Sequence, residues 1–476
     1  MYFQLVSTLL LIYIGTLTLY FHPLRKYPGP ILAALTDWYE LYYNIVKGGA
    51  LVTEIEKLHK FYGPVIRIGP NTLHFNDRRA YHDIYTNGSA FVKEPGFYLS
   101  FIAHASQGLL ATCDPGEARI QKTLIQDHYS SQDSGFQMNL AYRSVAMDLI
   151  TKYCFAQSAD TLVPGFRHPT QRSIEDFFKR IWFERHFPFL TGFACKMPRT
   201  LVGWLLPRFK SYIDMKAALE HQIDRLKRNP DLISLAEHET IYHRLLNPKN
   251  QVAPSRKMLV DQAFTLIGAG SDTIGNVCTV GTFYALKNGT ISQKLTMELY
   301  EAWPDGSKPL SLTTLEKLPY LTAFIKEALR FSIGVIHPMP RRANTTEEIA
   351  GYQIPPGTIV EMSTVFLHMN PDVFRKPYTF DPDRWLTEDA DKMNQDFAPF
   401  SKGPRMCIGL NLAWCELYLI LGNMFRKLNM KLHDRETNQR TDFDRGIKSD
   451  DLVPRWHWED YTVSVAPFSE TKLAST

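Results

Sequence analysis

The sequence predicts a mainly α-helical protein with a small β region. Residues 51–62 and 174–185 carry apolar side chains at three- and four-residue spacing, which is typical of amphipathic helices. A longer apolar run covers residues 255–288. Strand-like runs such as 65–68 and 358–362 are short, few in number and bounded by Gly or Pro. Helices should therefore form most of the fold.

Composition narrows the class of protein. The chain has 476 residues, of which 45% are hydrophobic, so it can bury a large core. The 53 basic and 49 acidic residues leave a net charge of only +4, which excludes a broad nucleic-acid-binding surface. Six cysteines without a Cys-x-x-Cys pair do not form a disulfide framework. We expect a folded protein of a reducing compartment.

The first residues predict a membrane anchor. Residues 2–21 carry no charged side chain, and about 20 helical residues span a hydrocarbon core of about 30 Å. Arg25 and Lys26 follow directly, which places the rest of the chain on the cytoplasmic side. We therefore predict an anchor at 1–22, a proline-rich connector at 23–30 and one domain at 31–476.

The most informative segment lies between Phe400 and Gly409. It places Cys407 directly before an apolar helical pattern, where free backbone amides and the helix dipole favour a thiolate. Gly403 and Gly409 let the backbone approach a flat cofactor, Arg405 can pair with a carboxylate on it, and Phe400 can shield the sulfur. Together these residues predict a thiolate ligand to iron.

This segment resembles the haem loop of the cytochrome P450 family, which reads Phe-x-x-Gly-x-Arg-x-Cys-x-Gly. The resemblance extends through most of the chain. It implies the haem-thiolate fold behind the membrane helix and haem b (iron protoporphyrin IX) as cofactor. It also implies Cys407 as the axial iron ligand, whose electron donation favours O–O cleavage.

Two further segments resemble a structural element of the same family. Glu327 and Arg330 are three residues apart on one predicted helix, and Arg384 lies in a Phe-Asp-Pro-Asp-Arg-Trp segment. The resemblance implies that these three side chains form a buried ion network. Because removing one member would leave uncompensated charge, we assign them to folding rather than to catalysis.

The long apolar run contains a Gly-x-Asp-Thr motif. Gly268 and Gly270 each weaken a helix interior by roughly 1 kcal/mol relative to Ala, and a local kink that admits O2 and water would offset that cost. Asp272 and Thr273 form an acid–alcohol pair that can relay protons, as in the resembling family motif. Gly289 should terminate the helix as its C′ residue. A dinucleotide-binding loop is discarded, because the last glycine and a preceding strand are missing.

Several apolar residues are candidates for a substrate pocket. The resemblance places Phe264, Ala269 and Val335 beside the haem, and Phe97 and Phe101 could form a roof over it. Aromatic residues at this spacing are also common in an ordinary core, so that alternative stays open for the last two.

The cofactor-binding pattern also departs from the family. Arg341 falls near the strand that binds haem propionates, whereas Glu117 and Gln121 stand where relatives carry basic or aromatic residues. Residues 130–139 replace a longer helical stretch. These departures leave one alternative open, in which the protein is a membrane-anchored family member that binds little haem and is not an enzyme.

The predicted reaction is monooxygenation of a small apolar substrate by O2. No nicotinamide or flavin motif is visible, so electrons should come from a separate NADPH-cytochrome P450 reductase. Basic residues on the Cys407 side could dock it: Lys402, Arg405, Arg426, Lys427 and Lys431. An O2-independent isomerase or dehydratase is the alternative enzyme, but such relatives usually lack the acid–alcohol pair.

Segments 22–30 and 62–71 resemble fungal family members similar to trichodiene oxygenase. This resemblance implies secondary metabolism with a terpenoid or polyketide intermediate as substrate. It also implies the endoplasmic reticulum membrane as the location, with a single span and a cytoplasmic catalytic domain.

Overall fold

Helices dominate the computed structural model and the strands are short, which confirms the predicted fold class. The residues that the structure describes are 19, 21–86, 91–101, 138–163, 166–194, 197–229, 238–246, 254–432, 447–449, 455–456 and 463–467. Within these ranges no helix is long and apolar enough to span a bilayer. The predicted anchor at 1–22 lies almost entirely outside them and stays a prediction.

The helices are numbered in chain order. The first eleven are α1 (Ile31–Leu35), α2 (Trp38–Leu41), α3 (Leu51–Tyr62), α4 (Arg78–Tyr85), α5 (Pro95–Phe101), α6 (Met138–Phe155), α7 (Pro169–His186), α8 (Pro188–Ala194), α9 (Arg199–Leu205), α10 (Pro207–Arg228) and α11 (Ile241–Leu246). The others are α12 (Arg256–Lys287), α13 (Gly289–Ala302), α14 (Leu312–Leu315), α15 (Pro319–Ser332), α16 (Thr364–His368), α17 (Ala390–Asp396) and α18 (Leu410–Lys427). A π-helical segment (Tyr42–Val46) and two 3-10 turns (Pro382–Leu386 and Gly403–Arg405) complete them.

The strands form one five-stranded sheet and three two-stranded pairs. They are β1 (Val65–Arg67), β2 (Thr72–Phe75), β3 (Phe91–Lys93), β4 (Arg341–Ala343), β5 (Glu347–Ile349), β6 (Tyr352–Ile354), β7 (Ile359–Glu361), β8 (Leu428–Leu432), β9 (Ile447–Ser449), β10 (Arg455–Trp456) and β11 (Val463–Pro467). The larger sheet has the order β1-β2-β7-β4-β3, and only its β2–β7 pair is parallel. The small pairs are β5–β6, β8–β11 and β9–β10, all antiparallel.

Helix α12 lies at the centre of the molecule. The Ser255 side chain caps its first turn by accepting a hydrogen bond from the Met258 amide at 3.1 Å. Because its residues are apolar on most sides, α12 is buried among α6, α10, α15 and α18. Its first half joins one apolar cluster and its second half another. The small residues 268–270 lie between these halves and line a cavity.

Helix α12 is unbroken from Arg256 to Lys287, and the expected local kink stays a prediction. Gly270 permits close packing, since a Cβ there would lie 3.0 Å from a side-chain carbon of Ile150 on α6. Asn288 is the C-cap residue of α12, so Gly289 occupies the C′ position, as expected. Gly289 is also the first residue of α13, which the Asn288 side chain caps.

The carboxylate of Glu327 lies at the centre of a buried ion network. Arg330 donates two hydrogen bonds to it, at 2.9 and 2.7 Å, and Arg384 donates a third at 3.1 Å. The Trp385 indole and the Asp381 amide also donate to it, each at 2.9 Å. The structure thus brings together Glu327 and Arg330 of α15 with Arg384 of the turn Pro382–Leu386.

The same network reaches the segment before Cys407. Arg330 donates to the carbonyl oxygen of His368 at 2.8 Å. Burial, with Arg330 nearby, lowers the pKa of His368 to about 3, so the ring is neutral and its Nε2 can accept the amide hydrogen of Ala398 at 3.0 Å. The Ala398 carbonyl then accepts the amide of Ser401 at 3.1 Å. The ion network therefore supports the loop that carries the thiol.

The network depends on pH. Burial alone would raise the pKa of Glu327, but Arg330 and Arg384 outweigh burial and hold that pKa below its ordinary value. A carboxylate with a lowered pKa in the folded state stabilises the protein above its unfolded pKa and loses this effect as pH falls through the folded value. The contribution is therefore present at neutral pH and is lost in acid.

We expect the Glu327→Gln variant to lower the free energy of unfolding at pH 7 by about 3–5 kcal/mol, because two buried guanidinium groups lose their counter-charge. Urea denaturation measures this change, and the difference from wild type should shrink in acid. Glu56 is a control, since it pairs with Lys60 at the surface at 2.8 Å. The Glu56→Gln change should cost less than about 1 kcal/mol. Equal midpoints for the two variants would contradict the assignment.

Candidate active site

The thiol of Cys407 lies at the end of the loop that precedes α18. The Cys407 amide donates to the carbonyl oxygen of Phe400 at 2.8 Å, which closes the loop. Gly409 is the N-cap residue of α18 and supplies no side-chain hydrogen bond. Cys407 therefore lies directly before the N-terminus of α18, where the first backbone amides have no partner within the helix, a position that favours a thiolate.

The other described cysteines have a different environment. Cys154, Cys278 and Cys415 are buried, whereas Cys407 is exposed. Burial raises the pKa of the Cys415 thiol to about 11 and that of Cys278 well above its ordinary value. Within the described part of the chain, Cys407 is the cysteine suited to bind a metal as a thiolate.

Gly403 and Gly409 serve different purposes. Gly403 has a φ of +76°, and a Cβ there would lie 2.4 Å from the carbonyl oxygen of Tyr85. It therefore allows the loop to pack against the end of α4. Gly409 lines the cavity beside Cys407, where a Cβ would lie 3.9 Å from the sulfur.

A cavity of about 320 Å³, partly open to solvent, separates the Cys407 loop from α12. This volume lies within the roughly 300–1,000 Å³ of a typical ligand pocket. Most lining side chains are apolar. The predicted site residues that line it are Phe264, Ala269, Thr273, Val335, Arg341, Phe400, Arg405, Cys407 and Gly409.

Of the predicted acid–alcohol pair, Thr273 lines this cavity and Asp272 does not. Thr273 lines it and donates a hydrogen bond to the Ala269 carbonyl at 2.8 Å. Successive residues of a helix point about 100° apart. The buried Asp272 accordingly lies in a separate small pocket, where its Oδ1 is 2.9 Å from Nε of Arg143 on α6. The structure places the alcohol at the cavity and pairs the acid with an arginine.

Two guanidinium groups lie at the cavity wall. Arg341 donates to the Tyr98 hydroxyl at 2.7 Å and lies over the Tyr85 ring at 5.0 Å. Arg405 lines the same cavity two residues before Cys407. Positive charge near the thiol suits the acid groups of a planar cofactor.

Sequence reasoning missed a buried acid. Glu416 on α18 lines the cavity, and neither of its carboxylate oxygens has a hydrogen-bond partner among the described residues. Burial raises its pKa well above the ordinary value, so the group is neutral and does not repel an anionic cofactor. The available signal was the only acid of α18, which lies nine residues after Cys407 in the mainly apolar first part of that helix.

The predicted roof residues are only partly placed in the cavity. Phe97 is buried on α5 and packs behind the wall, with its ring stacked on His337. Its neighbour Tyr98 lines the cavity instead. Phe101 ends the same helix, and its side chain is outside the described part. The departures at Glu117, Gln121 and 130–137 also lie outside the described residues.

One residue of the predicted docking surface, Arg426, does not lie at the surface. Arg426 is buried and donates to the carbonyl oxygens of Trp303 and Pro304 at 2.6 and 2.7 Å, so it supports the fold and cannot contact a partner. Lys427 lies over the Trp303 ring at 4.9 Å, and Lys431 is exposed. Lys402 bonds to the Gln395 carbonyl.

These residues fit the haem that the resemblance implies. One cavity is lined by an exposed thiol at a helix N-terminus, two guanidinium groups, a glycine beside the sulfur and a neutral buried acid. Soft thiolate ligands suit iron, and guanidinium groups suit carboxylates. Cys407 would hold the iron, and Arg341 and Arg405 would hold the acid groups.

The sequence is similar to known proteins whose family uses the cofactor that these residues fit. The cytochrome P450 family model matches residues 100–449. The chain is 34% identical to the tryptophan 6-hydroxylase of Fusarium equiseti over 88% of each chain. It is 32% identical to a cytochrome P450 monooxygenase of Eupenicillium brefeldianum over 94% of each. It is 33% identical to the N-acetyltryptophan 6-hydroxylase of Emericella nidulans over 90% of each.

The family match and these relatives cover most of the chain, including the Glu327 network and the Cys407 loop. The described residues place that loop against a cavity with the ligands that an iron-thiolate cofactor needs. The chain therefore belongs to the cytochrome P450 family and is a haem-dependent monooxygenase.

Proposed function

We propose that this protein hydroxylates or epoxidises an apolar intermediate of secondary metabolism, of the terpenoid or polyketide class, with haem b as cofactor and NADPH-cytochrome P450 reductase as electron donor. One observation carries the proposal. The exposed Cys407 thiol shares a mostly apolar cavity with Ala269, Gly270 and Thr273 of α12. Such a lining selects an apolar molecule and keeps water from the reacting atoms.

The chain's own residues bind and position the reactants. The bound haem would supply oxygen activation and transfer one oxygen atom to the substrate. Cys407 would hold the iron, and Arg341 and Arg405 would hold the acid groups of the cofactor. Phe264 and Val335 give the substrate an apolar surface. The neutral Glu416 would add no negative charge to the site.

Thr273 is proposed to hold and pass a proton at Oγ1. Its hydroxyl is bonded to the Ala269 carbonyl, so it must rotate to donate into the cavity. Asp272 can resupply that proton only after it leaves Arg143. A threonine at the cavity wall favours an O2-using enzyme over the O2-independent alternative.

A second candidate substrate is an indole-bearing amino acid or its derivative. Two relatives are hydroxylases of tryptophan and N-acetyltryptophan by name. The cavity has aromatic walls, with Phe177, Phe178 and Phe264, and the cation of Lys93 also lines it. These groups would suit a flat ring and a carboxylate. Binding titrations with tryptophan and with a sesquiterpene, followed by haem absorbance, distinguish the two candidates.

We also propose that residues 1–22 anchor the protein in the endoplasmic reticulum membrane, with the catalytic domain in the cytoplasm. The support is the charge-free run before Arg25 and Lys26. The full-length protein should stay in the microsomal pellet after alkaline carbonate extraction, because a spanning helix resists it. Release into the supernatant would contradict the anchor.

The Cys407→Ser variant should lose NADPH-driven oxygen consumption in the presence of reductase, because a serine hydroxyl cannot donate electrons to iron as a thiolate does. Oxygen uptake by purified enzyme and reductase measures this loss. Cys415→Ser is the matched control, since Cys415 is buried in the following helix. It should retain the activity of wild type. Loss in the Cys415 variant with retention in the Cys407 variant would reverse the assignment.

The Thr273→Ala variant should fold and bind haem as wild type does, but less product should form for each NADPH, with the electrons diverted to peroxide or water. Thr279 offers a matched control on the same helix. Its hydroxyl makes the same bond to the carbonyl four residues earlier, at 2.6 Å to Gly275, and it is buried away from the cavity lining. Thr279→Ala should leave coupling unchanged. Unchanged coupling in the Thr273 variant would disprove its role.

A further inference from the structure

Helices α12 and α18 face each other across the cavity beside the Cys407 thiol. From residue 269 onward, their lining residues recur every three or four positions, so each set occupies one face of its helix. They are Ala269, Gly270, Thr273, Ile274 and Val277 on α12 and Leu412, Ala413 and Glu416 on α18. Apart from Thr273 and Glu416, these residues have no polar side-chain atom. One alcohol and one acid therefore line the same cavity.

The carboxyl group of Glu416 is buried without a polar partner. The residue is 1% exposed, and neither of its carboxyl oxygens has a hydrogen-bond partner among the described residues. An isolated carboxylate is very costly in apolar surroundings, so the protonated acid is the stable form there. Burial accordingly raises the pKa of Glu416 well above its ordinary value. At neutral pH this acid carries a proton at the cavity wall.

The titratable groups close to Glu416 do not stabilise a charge on it. They are the thiols of Cys278 on α12 and of Cys415. Burial, and then the charge of Glu416, raises the pKa of both thiols, that of Cys415 to about 11. Both are therefore neutral at pH 7. Cys278 follows Thr273 by five residues, or about 7.5 Å along the helix axis, a distance that hydrogen-bonded water can bridge.

The other acid near Thr273 is held differently. The carboxylate of Asp272 forms an ion pair with Arg143 at 2.9 Å and lies in a separate small pocket. A carboxylate held in an ion pair only accepts hydrogen bonds and has no proton to give. Of these two acids, Glu416 is the one that both carries a proton and lines the cavity of Thr273.

We propose that the carboxylic acid of Glu416 supplies protons for oxygen activation, through cavity water and the hydroxyl of Thr273, by a route independent of Asp272. This inference rests on the proposed function and deepens it. Monooxygenation inserts one atom of O2 into the substrate and reduces the other to water. That reduction takes two electrons from NADPH and two protons from the solvent.

The proton route is balanced at each group. The O–H bond of Glu416 breaks as the acid donates to water in the cavity. Thr273 takes a proton from that water at Oγ1 and gives its own hydroxyl proton onward. The Glu416 carboxylate then takes a proton from solvent through the open side of the cavity, so the acid is restored after each transfer.

The hydrogen peroxide released for each NADPH consumed tests this proton supply. Cleavage of the O–O bond needs a proton on the leaving oxygen, so slow delivery lets O2 leave as peroxide instead of forming water. Glu416→Gln keeps the size of the side chain but removes its acidic proton. With haem-loaded full-length enzyme, reductase and no added substrate, it should raise the peroxide yield several-fold, after the reductase-only rate is subtracted. Glu416→Asp retains an acid and should restore part of the wild-type yield.

Glu361 on β7 provides a matched control. It is also a buried acid whose pKa burial raises well above the ordinary value, but it does not line the cavity. Glu361→Gln should leave the peroxide yield unchanged. Independence from Asp272 is tested in the Asp272→Asn background, where Glu416→Gln should still raise the yield.

Infrared spectroscopy detects the proton of Glu416 without turnover. A protonated carboxyl group has a C=O stretching band that is separate from the bands of a carboxylate and shifts in D2O. At pH 7 the wild-type protein should show such a band, which Glu416→Gln removes and Glu416→Asp shifts. A purely structural role would not produce this signature.

A peroxide yield that Glu416→Gln leaves at the wild-type value would overturn the proposal, and so would an infrared band that neither Glu416 variant alters. No effect in the Asp272→Asn background would overturn the independent route. If Glu416→Gln loses the thiolate-type CO band, Glu416→Asp and the wild-type infrared band decide. Failure of the proposed function is a distinct result, since wild type itself would then lack that CO band or consume no NADPH.

Discussion

The carboxylate of Glu327 holds together segments that are far apart in the sequence. It accepts hydrogen bonds from its own helix and from the turn containing Arg384, at 2.7–3.1 Å. Arg330 extends the network to the His368 carbonyl, and the neutral His368 ring accepts the Ala398 amide before the thiol loop. Since every member is buried, each needs the others to offset its desolvation. The position of Cys407 thus depends on an ion pair that never touches the cavity.

Features carried by neighbouring residues could be predicted from the sequence. The Cys407 loop is continuous in the chain, and its glycines, arginine and cysteine act within ten residues. The mainly helical fold follows from apolar periodicity, because amphipathic helices bury one face whatever they pack against. Glu327 and Arg330 share one turn of α15, so their pairing is local. Arg384 was found only through its resemblance to a family segment.

Features that depend on distant packing could not be predicted. The motif at Asp272 does not show that α6 brings Arg143 to the acid and draws it away from the cavity. The glycine at 270 does not show that Ile150 on α6 packs closely against it. The basic character of Arg426 concealed its burial against carbonyl oxygens. In each case the deciding neighbour lies more than 100 residues away.

The central claim is that Cys407 binds haem iron as a thiolate in a correctly folded cavity. The absorbance spectrum of the reduced, CO-bound wild-type protein tests it most directly, because the axial ligand sets the electronic state of the iron. We predict a single band of the thiolate-ligated type, at full haem occupancy. A band typical of haem with a neutral nitrogen ligand, or protein that binds no haem, would contradict the account.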